Sequence, residues 1–362
     1  VQIQPYGAEH ECIYSVSRSE LNKILMDEAE KFNNVKFNFN CKLEKVDFAD
    51  NKITFSNSKK NLEILFGTDG SASAVREALA NKYHAKTSND ILTHSYKELI
   101  IPAGSGLAPN ALHIWPRKQF MLIALANLDG SFTATLFLSQ KGEFSFENVT
   151  TENELHNFFK THFSDVYTML PNLSDEFFKN PTGQMVTVKT DQWSHEDKCL
   201  VLGDAAHAIV PFFGQGMNCG FEDCSILNEL IEQAQTPINW KSIFSDFYNK
   251  RKMNTDAIAQ LAHENFIEMR DRVADPQFIF SKSVERILMK NFSEDYVSRY
   301  QLVSFSNIEY RKAYEIGLIQ DDILKELCKN LKSPDQVDLA QAKTLIQSKI
   351  KPLLKEYYGF KN

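Results

Sequence analysis

The sequence predicts an α/β chain in which mixed βα units surround an inserted antiparallel sheet and lead into a helical C-terminal region. Three observations predict it. Two segments, 65–76 and 199–218, each read as a buried strand ending in a Gly/Asp turn that opens a helix. Between 93 and 139, apolar and β-branched runs alternate with Gly, Pro and Asn turns. From residue 216 to 358 the pattern is predominantly helical.

The elements follow in order. Residues 1–16 read like strand sequence from mid-protein, and the chain opens on Val1 rather than Met. A segment upstream is therefore expected to have been lost or removed. A helix is expected over 17–32, since Ser17 and Glu20 have capping-box spacing and Leu21, Ile24, Leu25 and Ala29 repeat at helical period. That places Arg18 on the first turn. Strands are expected at 35–40, 42–48, 52–56 and 62–66, with Asp50-Asn51 as a turn between two of them, and a helix at 71–79. The antiparallel sheet takes runs at 95–102, 111–115, 120–127 and 131–138. A helix at 152–163 and strands at 184–193 and 199–202 come next. The amphipathic stretches 321–331 and 337–358 are rich in Lys, Asp and Gln and are expected to pack or oligomerise. The expected division is 1–92 and 194–235 for a discontinuous nucleotide-binding domain, 93–193 for an inserted substrate domain, and 236–362 for the helical region.

Composition excludes several classes. A net charge of -7 leaves no basic footprint for nucleic acid or anionic lipid. The six cysteines show neither CxxC nor zinc-type spacing, so reduced thiols in the cytoplasm are expected, and no metal site. No run approaches the roughly 18 to 20 apolar residues of a membrane helix.

The run Cys199-Leu200-Val201-Leu202-Gly203-Asp204-Ala205-Ala206-His207 leads into Pro211-Phe212-Phe213-Gly214-Gln215-Gly216-Met217-Asn218. A carboxylate at a strand's C-terminal end can accept hydrogen bonds from sugar-like hydroxyls. Glycines let the amides of the following helix approach an anionic or carbonyl oxygen. A Gly-rich turn with a capping Asp would look the same. The second unit, Gly67-Thr68-Asp69-Gly70 running to Arg76, carries the same ambiguity, with Asp69 equally readable as a helix cap.

Together the two segments resemble the paired fingerprints of class A flavoprotein monooxygenases. Pro5-Tyr6-Gly7, Ser15-Val16-Ser17-Arg18, Leu112-His113-Ile114-Trp115-Pro116-Arg117, the run from Gly203 to Cys224 and Asn265-Phe266-Ile267-Glu268-Met269-Arg270 are similar to the kynurenine 3-monooxygenase family. The resemblance implies a Rossmann-like FAD-binding domain and FAD and NADPH as cofactors. Asp204 would hold the ribityl or pyrophosphate part, and Pro211, Gly214, Gly216, Met217 and Asn218 would lie along the flavin. Arg18 and Leu43 would contact FAD, while Asp69 and Arg76 would support the pyrophosphate region and NADPH use. Tyr6, Asn265 and Tyr300 would surround the amino-acid part of L-kynurenine, and Phe212, Ile123, Leu125, Thr135 and Phe137 would wall its ring. The same apolar residues read as plain sheet core without the resemblance.

The implied reaction converts L-kynurenine, NADPH and O2 to 3-hydroxykynurenine through a C4a-hydroperoxyflavin. The flavin carries the chemistry and no protein residue is expected to be catalytic. His207 is expected to be a polar residue near the cofactor, not a general base. Two features of the family are absent: the G-x-G-x-x-G turn, for which Gly214, Gly216 and Gly220 have the wrong spacing, and the upstream Arg that pairs with the substrate carboxylate. The chain by itself is therefore expected to hold FAD poorly. The polar tail implies no membrane anchor. Two other readings stay open, a hydroxylase of a related aromatic acid and a flavin-free, inactive remnant.

Overall fold

The structure, a computed structural model, describes residues 11–272 and 275–354. Two compact units divide the chain. One comprises Tyr14–Pro211 and Gly216–Tyr248; the other comprises Phe212–Gln215 and the described parts of Val1–Ile13 and Asn249–Asn362.

The first unit opens with α1 (Arg18–Glu30), capped by the Ser17 side chain, which accepts from the Glu20 amide. A three-stranded antiparallel sheet follows, β1 (Leu43–Asp47), β2 (Lys52–Phe55) and β3 (Ser58–Asn61). Asn51 takes a left-handed φ of 51° in the β1–β2 turn, as an Asp-Asn turn allows. Next come β4 (Leu65–Gly67), α2 (Ala74–Tyr83) and the long β5 (Thr87–Ile101). With β6 (His113–Pro116), β7 (Met121–Ala126), β8 (Phe132–Ser139) and β9 (Gly183–Thr190), β5 forms a five-stranded antiparallel sheet in the order β6-β7-β8-β5-β9. Period-two alternation sends Leu122, Ala124, Ala134, Leu136 and Leu138 into a core with Leu155, Phe159, Phe163 and Leu173. Those last residues come from the helical segment between β8 and β9, namely α3 (Glu152–His162), α4 (Ser164–Tyr167) and α5 (Leu173–Lys179), with Phe163 linking the first two.

The third sheet positions the site. It contains β10 (Ser194–His195), β11 (Cys199–Val201) and β4, and β11 runs parallel to β4 with Val201 beside Gly67. Gly67 has no alternative there, because a Cβ would lie 2.9 Å from both Val201 and Val75. Around this pair close Val75, Leu79, Trp193, Cys199, Leu200, Phe244 and Phe247. The segment ends with α6 (Asp204–His207) and α7 (Gly216–Glu232).

The unit boundary falls inside α8 (Trp240–Ile267). The second unit continues with a π-helical turn at Glu268–Arg272, then α9 (Pro276–Asn291), α10 (Arg299–Ser304), α11 (Tyr310–Cys328) and α12 (Leu339–Leu345). Among the described residues no helix is long and apolar enough to cross a membrane.

Three expectations of strand fail or shift. Of the run 1–16, residues 1–10 lie outside the described residues, and 11–16 are irregular. The run 35–40 forms no strand and pairs with none among the described residues. Phe32, Val35, Phe37 and Phe39 are exposed, so burial does not enforce the alternation that suggested a strand. The strand expected at 62–66 is displaced to β4, while β3 was not expected, because Ser-Lys-Lys-Asn carries no apolar alternation.

Candidate functional site at the parallel strand ends

The parallel pairing of β4 and β11 delivers both Gly/Asp turns to the same edge. Thr68-Asp69-Gly70 leaves one strand and Gly203-Asp204 leaves its neighbour, with the Leu202 amide bonded to the Gly67 carbonyl at 3.1 Å. Ligands of open α/β sheets bind outside such carboxyl ends.

The two aspartates do different things there. Asp69 accepts from Ser73 Oγ at 2.5 Å, from the Ala74 amide at 2.8 Å and from the Val75 amide at 3.3 Å, which makes it a cap of α2. Arg76, buried on α2, donates to the carbonyls of Ala205 (2.7 Å) and Ser71 (2.6 Å) and to Asn89 Oδ1 (3.3 Å). Its guanidinium thus ties the two turns together. Desolvation lowers its pKa, against the charges of Asp69 and Glu77.

Asp204 instead keeps its carboxylate open to solvent at the start of α6. Enough protein surrounds it for desolvation to raise its pKa, while the charges of His207 and of Arg18, at the start of α1, pull it down. Leu43 stands half-buried at the start of β1, against the core beneath.

His207 is buried under the turn. Its Nε2 lies 2.6 Å from Asp223 Oδ2, its Nδ1 lies 3.9 Å from Cys219 Sγ, and the same Asp223 oxygen accepts from the Gly203 amide at 2.8 Å. Burial disfavours the imidazolium, but the Asp223 and Cys219 hydrogen bonds and charges outweigh it and push the pKa up to about 10. Asp223 was missed in the sequence. Its signal was present, an acid inside the buried stripe Cys219, Asp223, Leu227 of α7.

A pH prediction follows from this pair. A histidine whose folded pKa is raised from 6.5 to about 10 stabilises the fold fully below pH 6.5, and that stabilisation is lost as pH rises through 10. In denaturant titrations the gap between the parent and His207→Gln is expected to be widest below pH 6.5 and to close toward pH 10. A gap constant across that range would show that the pair is not charged.

Pro211, Gly214, Gly216, Met217 and Asn218 follow in the chain; Pro211 opens a short 3-10 turn, Gly216 opens α7, and Met217 and Asn218 are exposed. In the helical unit, Asn265 Nδ2 donates to the Phe212 carbonyl at 2.6 Å. Phe212 packs on Phe266 with centroids 4.5 Å apart, and Phe213 stacks on Tyr300 at 5.6 Å. Asn265, Phe212 and Tyr300, far apart in sequence, are thereby grouped. Their neighbours Glu264 and Arg299 clip α8 to α10 at 3.3 Å. Desolvation, against a hydrogen bond with Ser304, pushes the Tyr300 pKa up to about 12, so its hydroxyl is a neutral donor at physiological pH.

On the five-stranded sheet, Ile123 pairs with Thr135 and Phe137 with Met121, and Ile123, Leu125 and Thr135 are half-buried on the face opposite the α3–α5 core. Phe137 is buried, 6.2 Å from Tyr96 by ring centroids. Tyr6 lies outside the described residues. Among the described residues, no group of three or more His, Cys, Asp or Glu could hold a metal ion.

Comparison with known proteins agrees with this architecture. Residues 3–236 match the FAD binding domain family. The chain is 47% identical over 365 residues to the kynurenine 3-monooxygenase of Myxococcus xanthus (strain DK1622), covering 98% of this chain and 78% of that protein. It is 44% identical to the enzyme of that name from Legionella pneumophila (strain Corby), covering 91% and 74%, and 42% identical to that of Dictyostelium discoideum, covering 95% and 79%. Among solved structures, tetrameric 2-methyl-3-hydroxypyridine-5-carboxylic acid oxygenase superposes with a TM-score of 0.59 at 17% identity, over 73% of this chain and 70% of that one. Klebsiella pneumoniae HpxO, complexed with FAD and uric acid, gives 0.58 at 16% identity, over 73% and 66%. These two likenesses carry the fold alone. With over two-fifths of its residues shared with three such relatives across nearly its whole length, the chain belongs to the kynurenine 3-monooxygenase family of FAD-dependent monooxygenases.

Proposed function

We propose that this chain hydroxylates L-kynurenine at ring position 3, with FAD as cofactor, NADPH as reductant and O2 as oxidant. The observation that carries the reading is the 47% identity over 98% of the chain to an enzyme named for that reaction.

The residues present suit FAD. Asp204 offers an accessible carboxylate at a parallel strand end, ready to accept from ribityl hydroxyls. The 17-residue helix α7 begins at Gly216, and the N-terminus of a helix suits a ring carbonyl oxygen. Arg18 lies within electrostatic reach of Asp204 and supplies positive charge for a pyrophosphate. Arg76 and Asp69 serve by bracing the two turns, since their polar atoms are engaged with the protein. When bound, FAD supplies the reactive oxygen by passing electrons from NADPH to O2.

The chain's own part is to bind, orient and exclude water. Asn265 holds the Phe212 carbonyl and with it the segment carrying Phe212 and Phe213, and Tyr300 offers a neutral hydroxyl beside them. Neutral donors orient a zwitterionic amino acid without adding charge. Ile123, Leu125, Thr135 and Phe137 provide an apolar sheet face for the aniline ring, and a dry wall limits wasteful breakdown of the activated oxygen. The spacing of the six cysteines, with no CxxC pair or disulfide framework, is what supports a reducing, cytoplasmic setting.

The test is NADPH oxidation stimulated by L-kynurenine compared with other aromatic acids, with the product identified by mass spectrometry. Preference for a different aromatic acid would reassign the substrate. Tyr300→Phe and Asn265→Ala are expected to raise the KM for kynurenine about 2- to 10-fold, the equivalent of one hydrogen bond of about 0.5 to 1.5 kcal/mol, with FAD content unchanged. Unchanged kinetics in both variants would remove these residues from the substrate site.

A further inference from the structure

We propose that Asp223 and His207 form a positioning pair for the cofactor turn, holding the Gly203 backbone in place behind the Asp204 carboxylate. The inference rests on the reading of Asp204 as the FAD-facing acid.

Asp223 lies on the buried face of α7 and reaches back across the sequence to the end of β11. One of its oxygens takes the Gly203 amide at 2.8 Å and His207 Nε2 at 2.6 Å. Gly203 has φ 59° and ψ -146°, open to glycine and closed to other residues, and the bond from its amide to Asp223 selects that conformation among those a glycine can take. Both members of the pair are buried, whereas Asp204, three residues before His207, is accessible. The pair therefore sits behind the turn, and Asp204 is the acid that faces solvent.

The charge order is Asp223 negative, His207 positive, Asp204 negative. Burial disfavours ionised Asp204; the charges of His207 and Arg18 oppose that. Around His207 stand Asp223 and Cys219, both of which favour the imidazolium. Removing the imidazolium leaves Arg18 as the remaining identified cation at Asp204, so protonation of Asp204 moves to higher pH. A protonated Asp204 is a weaker acceptor for hydroxyls, and FAD affinity falls with it.

The experiment strips FAD from the protein and titrates it back between pH 5.5 and 8.5, reading the quenching of flavin fluorescence; circular dichroism of each apoprotein checks the fold. His207→Gln is expected to raise the FAD Kd about tenfold at pH 8, the equivalent of one lost hydrogen bond, and further as the pH falls. Asp204→Asn is expected to weaken FAD with a flat pH profile. Asp223→Asn, which still accepts from Gly203, is expected to lose less than Asp223→Ala, and it carries the test should the alanine variant not fold. If His207→Gln and Asp223→Asn both match the parent Kd at every pH, the pair has no positioning role. If Asp204→Asn matches the parent instead, the reading of Asp204 itself fails, and the pair loses the carboxylate it is proposed to hold.

Discussion

Trp193→Ala is expected to lower the unfolding free energy of the β4–β11 unit by about 3 to 5 kcal/mol, the range for emptying a buried indole site. Trp193 is 1% exposed and sits between β9 and β10. Its ring lies 5.3 Å from His207, 6.0 Å from Phe247 and 5.5 Å edge-on from Tyr248. Its Nε1 donates to the Thr190 carbonyl at 3.0 Å, and its own carbonyl accepts from the Val201 amide at 2.8 Å. The backbone of Trp193 thus supports the strand that ends in the Gly203 turn, while its indole packs against His207 and the aromatic core of this unit. Removing it leaves a cavity that the sheet backbone cannot fill by small shifts. Trp193→Phe separates the contributions, since it keeps most of the volume and loses the hydrogen bond, at about 1 kcal/mol. Chemical denaturation of the three proteins is the measurement. A loss under 1 kcal/mol for the alanine variant would mean that the indole is not part of the core of this unit.

The fold was legible where local signals and burial agree. Ser17, Leu21 and Ala29 announced α1, and the runs from Ser95 to Leu138 announced the strands that pair as β5 to β8, because one face of each is buried and the alternation is enforced. Where burial does not enforce it, the same alternation misled, as at Val35, Phe37 and Phe39, which are exposed. Conversely, β3 is made of polar residues and exists because β2 offers it an edge, which sequence alone does not display. At the site, the Gly/Asp turns were readable as chemistry, but not their division of labour. Asp69 turned out to be engaged by Ser73 and the amides of α2, while Asp204 stays open, and only the pairing of β4 with β11 set the two side by side. Asn265 and Tyr300 came from family resemblance. The packing around Phe212 and Phe213 that groups them depends on contacts between segments more than fifty residues apart, and no local periodicity encodes that.

Gly203→Ala is expected to weaken FAD binding relative to the parent while leaving most of the fold intact. A Cβ at Gly203 would meet nothing within 4 Å, so the penalty is not a clash with neighbours. It comes from the backbone. The pair φ 59°, ψ -146° lies in a region that is essentially closed to L-residues with a side chain, and holding alanine there costs about 1 to 3 kcal/mol. The turn can relieve that strain by rotating toward ordinary angles, at the expense of the Gly203 amide's bond to Asp223 and of the direction in which Asp204 leaves the strand. Either outcome weakens the cofactor, one by strain in the bound state and the other by misdirecting the carboxylate. Gly220→Ala is the contrasting variant, an α7 helix position with no atom within 4 Å of the added Cβ, where alanine is expected to stabilise the apoprotein by about 0.5 to 1 kcal/mol through helix propensity. Absorbance of the purified proteins reads FAD content, and thermal melting of the apoproteins reads the fold. A yellow Gly203→Ala protein with the parent's FAD affinity would show that the left-handed turn is not needed to present Asp204, and that the cofactor is held elsewhere in the chain.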